Sequence, residues 1–175
     1  GTMGKAAEPG AGAFYRYYRG ELRCLMDGIT ITNSICFAPD GTTAYFCDTI
    51  TKQIMATRLD GHGWPKGDPW VALDLTVIGA HPDGSVVDAK GNIWTALWGD
   101  GEIVCHSANG ARLQTVSVPA AQVSCPAFAG ATGRLFATTS CQGLTDAEMS
   151  ANPNHGQTFE TTVQATGQLE HQVIL

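Results

Sequence analysis

The sequence predicts an all-β chain of the β-propeller class, and three observations carry that prediction. First, Asn33, Asp83 and Cys125 each stand eight positions ahead of a hairpin-type glycine (Gly41, Gly91 and Gly133), and each opens a segment running strand, glycine turn, aromatic-bearing strand. A period of forty to fifty residues built this way is that of a propeller blade. Second, short runs rich in Val, Ile, Thr and aromatic residues alternate with turn residues along most of the chain. Third, no long amphipathic helical pattern lies between these runs, so the connections are hairpins and not helical crossovers.

In chain order, the runs predict strands over 13–18, 21–26, 31–38, 43–48, 53–59, 70–73, 85–88, 92–97, 102–106 and 112–118. The punctuation between them is Arg19-Gly20, Pro39-Asp40-Gly41, Asp60-Gly61-His62-Gly63, Lys90-Gly91, Gly99-Asp100-Gly101 and Asn109-Gly110. Glycine supplies the positive φ of tight turns, and Asp or Asn bonds its own backbone there. Beyond them, the third repeat, Cys125 to Phe136, supplies another strand, turn and strand, and 145–150 has the makings of a helical turn with Asp146 and Glu148 near its start. At four strands per blade, 175 residues hold between about three and four blades, fewer than a propeller usually closes with. The chain is therefore expected to be a single domain over 1–175, the C-terminal part of a larger propeller whose upstream blades come from elsewhere.

Composition narrows the function classes. The chain is 43% hydrophobic with a net charge of −6 and only 10 Lys and Arg, without a basic cluster, which argues against nucleic acid as a partner. No apolar stretch approaches the roughly 18 residues of a membrane span, and the N-terminus lacks a charged-then-apolar leader, so no membrane partner is expected. The six cysteines (Cys24, Cys36, Cys47, Cys105, Cys125 and Cys141) show no C-x-x-C pair or zinc spacing. They read as buried free thiols in a reducing, cytoplasmic setting.

Equivalent positions of successive blades face one axial channel, so Asn33 and Asp83 are expected to converge there. Asn33 lies in an otherwise apolar strand, where its amide needs hydrogen-bond partners that a wet, metal-holding channel supplies. Asp83 precedes Gly84, and without further context that dipeptide reads first as a turn carboxylate. Asp48-Thr49 and Trp98-Gly99-Asp100-Gly101 fall on the same rim, as pocket-shaping residues or as ordinary turns. The histidines show no metal spacing, and there is no phosphate loop, no G-x-S-x-G elbow and no Ser/His/Asp set.

Several motifs together resemble the gluconolactonase, regucalcin and luciferin-regenerating-enzyme family. They are Gly1-Thr2-Met3, Gly12-Ala13-Phe14-Tyr15, Ile31-Thr32-Asn33-Ser34, Ala38-Pro39-Asp40-Gly41 with Tyr45-Phe46-Cys47-Asp48-Thr49, Pro82-Asp83-Gly84, Val87 to Trp94, Val118-Pro119, Cys125 to Phe128 and Leu135 to Thr139. The resemblance implies a six-bladed propeller, with this chain covering roughly the last four blades, and a metal-dependent hydrolase that opens sugar-type lactones. It implies one divalent cation (calcium, or zinc, magnesium or manganese) with Asn33 and Asp83 as ligands and Asp83 also the general base. Met3 and Glu8 match the family's flexible segment over the pocket and are implied to touch substrate. The family's ligand Glu and its Arg-x-Asn-Asp segment have no counterpart here. The expected partners are therefore a small lactone or ester and an upstream propeller half, supplied by a separate chain or segment, or by a second copy. Two other readings stay open: a calcium-dependent phosphotriesterase or esterase on the same fold, and a non-enzymatic metal-binding regulatory propeller.

Overall fold

The structure is a computed structural model that describes residues 1–170. It is all-β apart from one short helix and a 3₁₀ turn, and every strand pair is antiparallel. β1 (Gly12–Tyr18) and β2 (Glu21–Ile29) form a two-stranded sheet. A four-stranded meander follows: β3 (Thr32–Phe37), β4 (Thr43–Asp48), β5 (Gln53–Leu59) and β6 (Pro65–Asp74). The next has the same order: β7 (Pro82–Val87), β8 (Ile93–Leu97), β9 (Glu102–His106) and β10 (Arg112–Ser117). The last sheet is three-stranded, β11 (Val123–Phe128), β12 (Arg134–Thr139) and β13 (Thr158–Thr162), with α1 (Asp146–Ala151) between its second and third strands. No helix among the described residues is long and apolar enough to cross a membrane.

The turn that joins β7 to β8 shows how local chemistry sets each hairpin. Gly91 takes φ 84°, which a side chain would resist, and Asp88 accepts from the Lys90 and Asn92 backbone N–H groups at 2.9 Å each. The other Asp88 oxygen accepts from Asn92 Nδ2 at 2.9 Å and from the Trp94 indole N–H at 3.0 Å. A carboxylate only 1% exposed is thereby fully bonded, and it satisfies the polar end of the largest buried side chain.

Successive sheets stack face to face, and the alternation of side chains along each strand builds the core. Ile93 and Val87 pack against Cys36, Tyr45, Cys47, Ile54, Ala56 and Leu73 of the preceding sheet. Trp94, Ala96, Ile103 and Cys105, on the opposite face, pack against Val123, Leu135, Ala137 and Val163 of the following one. Because it is covered on both faces, β8 is buried along its whole length. Each large apolar side chain so buried contributes about 1.5–3 kcal/mol.

The first strands β3, β7 and β11 lie side by side. Ser34 of β3 donates to the Asp83 carbonyl of β7 at 2.6 Å. At Gly84 the approach of β11 is so close that a Cβ would lie 2.7 Å from both Cys125 Sγ and the Ser124 carbonyl. Glycine is required there for space.

Several elements differ from the sequence expectation. β6 runs from Pro65, five residues earlier than anticipated, because the register break between Ala56 and Arg58 admits the bulge-forming Gly67 (φ 78°) into its pairing with β5. Asp83 sits inside β7, paired through its neighbours to β8, and not in a turn. β13 was not anticipated from Thr158–Thr162, whose mostly exposed residues lack an apolar stripe. All six cysteines are free, but only Cys36, Cys47 and Cys105 are buried, while Cys24, Cys125 and Cys141 are exposed.

Candidate active site

At one end of the first strands lies a cavity of about 280 Å³. Asn33 enters it from the start of β3 and Asp83 from the start of β7. Thr49 and Trp98 enter from the loops just after β4 and β8, and Gln142 from the loop after β12. Ile31 completes the wall, and the N-terminal segment contributes Met3 and Ala7. That segment is tied down where Thr2 donates its N–H to the Ala13 carbonyl (2.9 Å) and accepts from the Thr32 hydroxyl (3.1 Å).

The backbone around Asn33 is bent to present it. Ser34 takes φ 57°, rare for a residue with a side chain, and the β3–β4 register breaks between Asn33 and Cys36. The bend turns the Ser34 hydroxyl inward, onto the Asp83 carbonyl. Behind it, Ser85 Oγ lies 2.9 Å from Ser34 Oγ and 2.9 Å from Thr95 Oγ1. These three residues are 2%, 8% and 0% exposed, so a buried chain of hydrogen-bonded hydroxyls ties β3 to β7 beneath the two site residues.

Asn33 itself is oriented by Thr49. Its Nδ2 donates to Thr49 Oγ1 at 2.8 Å, and Thr49 donates in turn to the Pro82 carbonyl at 2.7 Å. With its one proton committed to Pro82, the Thr49 oxygen can only accept, so the amide nitrogen of Asn33 must face it. The amide oxygen is left for the cavity.

Burial pushes the Asp83 carboxyl up to about 6, partly opposed by the Gly84 N–H. Among the described residues no Lys, Arg or His shares the cavity wall to balance the charge of the ionised form. A hard carbonyl oxygen and an uncompensated carboxylate in one cavity suit a hard divalent cation. They do not make a full shell, and no cluster of three or more His, Cys, Asp or Glu occurs among the described residues. The third repeat position adds no oxygen ligand. It is Cys125, a residue exposed overall whose Sγ nevertheless packs against Gly84, so that desolvation and then the Asp83 charge push its thiol up.

The other sequence candidates separate. Met3 lines the cavity, whereas Glu8 does not; its carboxylate accepts from the Ala6 N–H at 3.1 Å within its own loop. Asp48 is occupied by the Thr30 and Ile31 N–H groups at 2.8 and 3.0 Å and caps the 3₁₀ turn Thr49–Thr51. Trp98 lines the cavity, and Asp100 and His81 do not. Ala7, Ile31 and Gln142 were not singled out by sequence. For Gln142 a signal existed: it follows the second strand of its sheet, as Thr49 and Trp98 follow theirs.

Residues 1–141 match the model of the SMP-30/Gluconolactonase/LRE-like region. A solved structure of a calcium-binding protein, regucalcin, from Agrobacterium tumefaciens aligns with a TM-score of 0.94 at 42% identity, covering 99% of this chain and 59% of that one. L-arabinolactonase of Azospirillum brasilense is 35% identical over 172 residues, 95% of this chain and 56% of its own length. A Rhizobium meliloti protein, provisionally named a sugar lactone lactonase, is 42% identical over 172 residues, 97% of this chain and 58% of its own. The chain thus spans 56–59% of the length of these relatives.

Proposed function

Because this chain belongs to the SMP-30/Gluconolactonase/LRE-like family, we propose that it carries the catalytic carboxylate of a hydrolase that opens sugar-type lactones. The observation that carries the reading is that the Asn33 amide oxygen and the Asp83 carboxylate share one cavity whose wall, among the described residues, holds no cationic side chain. Relatives named L-arabinolactonase and 6-deoxy-6-sulfogluconolactonase support the substrate class.

In this reading Asp83 accepts a proton from water as the water oxygen attacks the lactone carbonyl carbon. The ring C–O bond then breaks, the ring oxygen leaves as a hydroxyl after taking up a proton, and a sugar acid is released. A carboxyl pushed up to about 6 is poised for this near neutral pH. A divalent cation held by Asn33 Oδ1 and Asp83 would polarise the carbonyl, and calcium is the first choice because the regucalcin relative is named as calcium-binding. Zinc, magnesium and manganese are the alternatives. Sharing the Asp83 charge with a cation lowers its basicity, so further ligands are needed to leave it a proton acceptor. Those ligands, with the blades that close a six-bladed ring, are assigned to the length of the relatives that this chain does not span, whether a preceding segment, a separate chain or a second copy. Met3 is placed over the substrate, and Glu8 joins it only if the N-terminal segment closes further. The free thiols fit a cytoplasmic, reducing setting.

The test is turnover of sugar lactones, aryl esters and phosphotriesters by the protein with its full ring, with and without chelator. Lactone opening lost to chelator and restored by calcium supports the reading. Preference for a phosphotriester or ester moves the activity to that class, and metal binding without turnover leaves a regulatory propeller.

A further inference from the structure

We infer that the outer end of the second sheet carries a binding site for an anionic carbohydrate, at the opposite end of β4 from the cavity of Asn33 and Asp83. A hollow of about 630 Å³ lies there, a size typical of small-molecule sites. Six residues of strand, about 20 Å, separate Thr43 in this hollow from Thr49 at the other.

The register explains the hollow. Thr43, Arg58 and Lys66 form one row across β4, β5 and β6, and Tyr45, Ala56 and Trp70 form the next row on the same face. Tyr45 and Ala56 of that second row are buried in the core, whereas Trp70 at its end and the two cations line the hollow. The bulge at Gly67 brings Lys66 opposite Arg58 at the break in the ladder.

Two like charges directly opposite one another destabilise a sheet, and among the described residues no ion pair offsets them. The chain has 16 acidic residues against 10 basic ones, so carboxylates are plentiful. Among the described residues, however, the ion pairs are Glu21–Arg23, Glu102–Arg112 and Glu160–Arg134, and neither Arg58 nor Lys66 takes part in one. Asp60, two residues beyond Arg58, is turned onto the His62 and Trp64 N–H groups at 2.8 and 2.9 Å, and Asp40 on the β3–β4 turn onto the Thr42 N–H and hydroxyl at 2.9 Å each. Asp68 pairs with neither cation. Trp70 is 43% exposed, an aromatic plane left to solvent beside them.

Each part has a matching ligand feature. Two unpaired cations recognise a carboxylate or phosphate, the indole plane takes the C–H face of a sugar ring, and the Thr43 hydroxyl offers one more hydrogen bond. A hexose-sized ligand bearing one anionic group satisfies all three, which neither inorganic phosphate nor a neutral sugar does.

The test is calorimetric titration of the protein at low salt with glucose 6-phosphate, gluconate, glucose and inorganic phosphate. At least one charged sugar binds saturably, and glucose and inorganic phosphate each bind about tenfold more weakly or worse; which charged sugar is preferred distinguishes phosphate from carboxylate as the recognised group. Lys66→Glu pairs with Arg58, so the melting temperature rises while charged-sugar affinity falls at least about tenfold. Trp70→Ala weakens the sugars and leaves phosphate unchanged. Asp83→Asn leaves the charged-sugar affinity unchanged, which separates this site from binding of a reaction product at the cavity. The inference is overturned if no charged sugar binds saturably, if glucose binds as well, or if Asp83→Asn abolishes binding that Lys66→Glu spares.

Discussion

Thr49 determines which atom of Asn33 meets the cavity. Its hydroxyl accepts from Asn33 Nδ2 at 2.8 Å while donating to the Pro82 carbonyl at 2.7 Å, one residue from Asp83. One side chain thus orients the neutral oxygen ligand of β3 and steadies the strand that delivers the carboxylate.

Replacing Thr49 by Val removes the acceptor and the donor together. Cation affinity is expected to fall about 10–100-fold, the usual cost of losing a residue that orients a ligand, whereas Thr49→Ser stays near wild type. Calcium titration of the three proteins decides; equal affinity for Val and wild type would show that Asn33 needs no such support.

Asp83 and Asn33 are expected to fail differently. With cation saturating, Asp83→Ala loses about 10²–10⁴-fold in turnover, as expected for a general base. Asn33→Ala mainly weakens cation binding and recovers much of its rate at high calcium. Retention of more than about a tenth of wild-type turnover by Asp83→Ala would remove the base assignment.

The raised Asp83 carboxyl also makes stability depend on pH. Its folded pKa of about 6 exceeds the ordinary carboxylate value of 3.8, so the folded state binds the proton more tightly. The stability this contributes is fully present below pH 3.8 and is lost as pH rises through about 6. Thermal melts in chelator at pH 4.5 and 7.5 should therefore show the stability advantage of Asp83→Asn over wild type growing with pH and clearly larger at 7.5, and calcium should restore wild type there. An equal difference at both pH values would contradict the shift.

Gly84→Ala places a methyl 2.7 Å from Cys125 Sγ and the Ser124 carbonyl, so β7 and β11 must separate. Overpacking of this kind costs about 1–3 kcal/mol. Urea denaturation of the Ala variant measures it, and an unchanged midpoint would mean that the strands are looser than they stand.

The repeat of a polar or thiol residue eight positions before a turn glycine, with β-rich runs between, determined by itself that this is an all-β chain of successive antiparallel sheets. It also put Asn33 and Asp83 at matching places, because side-chain alternation and turn chemistry are local properties that each segment carries alone. The turn that Asp83-Gly84 suggests on its own is not formed, for a reason no local window contains: Gly84 is glycine to admit β11, forty residues on, and not to reverse the chain. Gln142, the chain of hydroxyls from Ser34 through Ser85 to Thr95, and the acceptor-only state of Thr49 likewise depend on strands that meet from distant parts of the sequence. Only the tertiary structure decided them, since burial converts an ordinary hydroxyl or carboxylate into an oriented or shifted one, and burial is set by what packs against a residue and not by its neighbours in the chain.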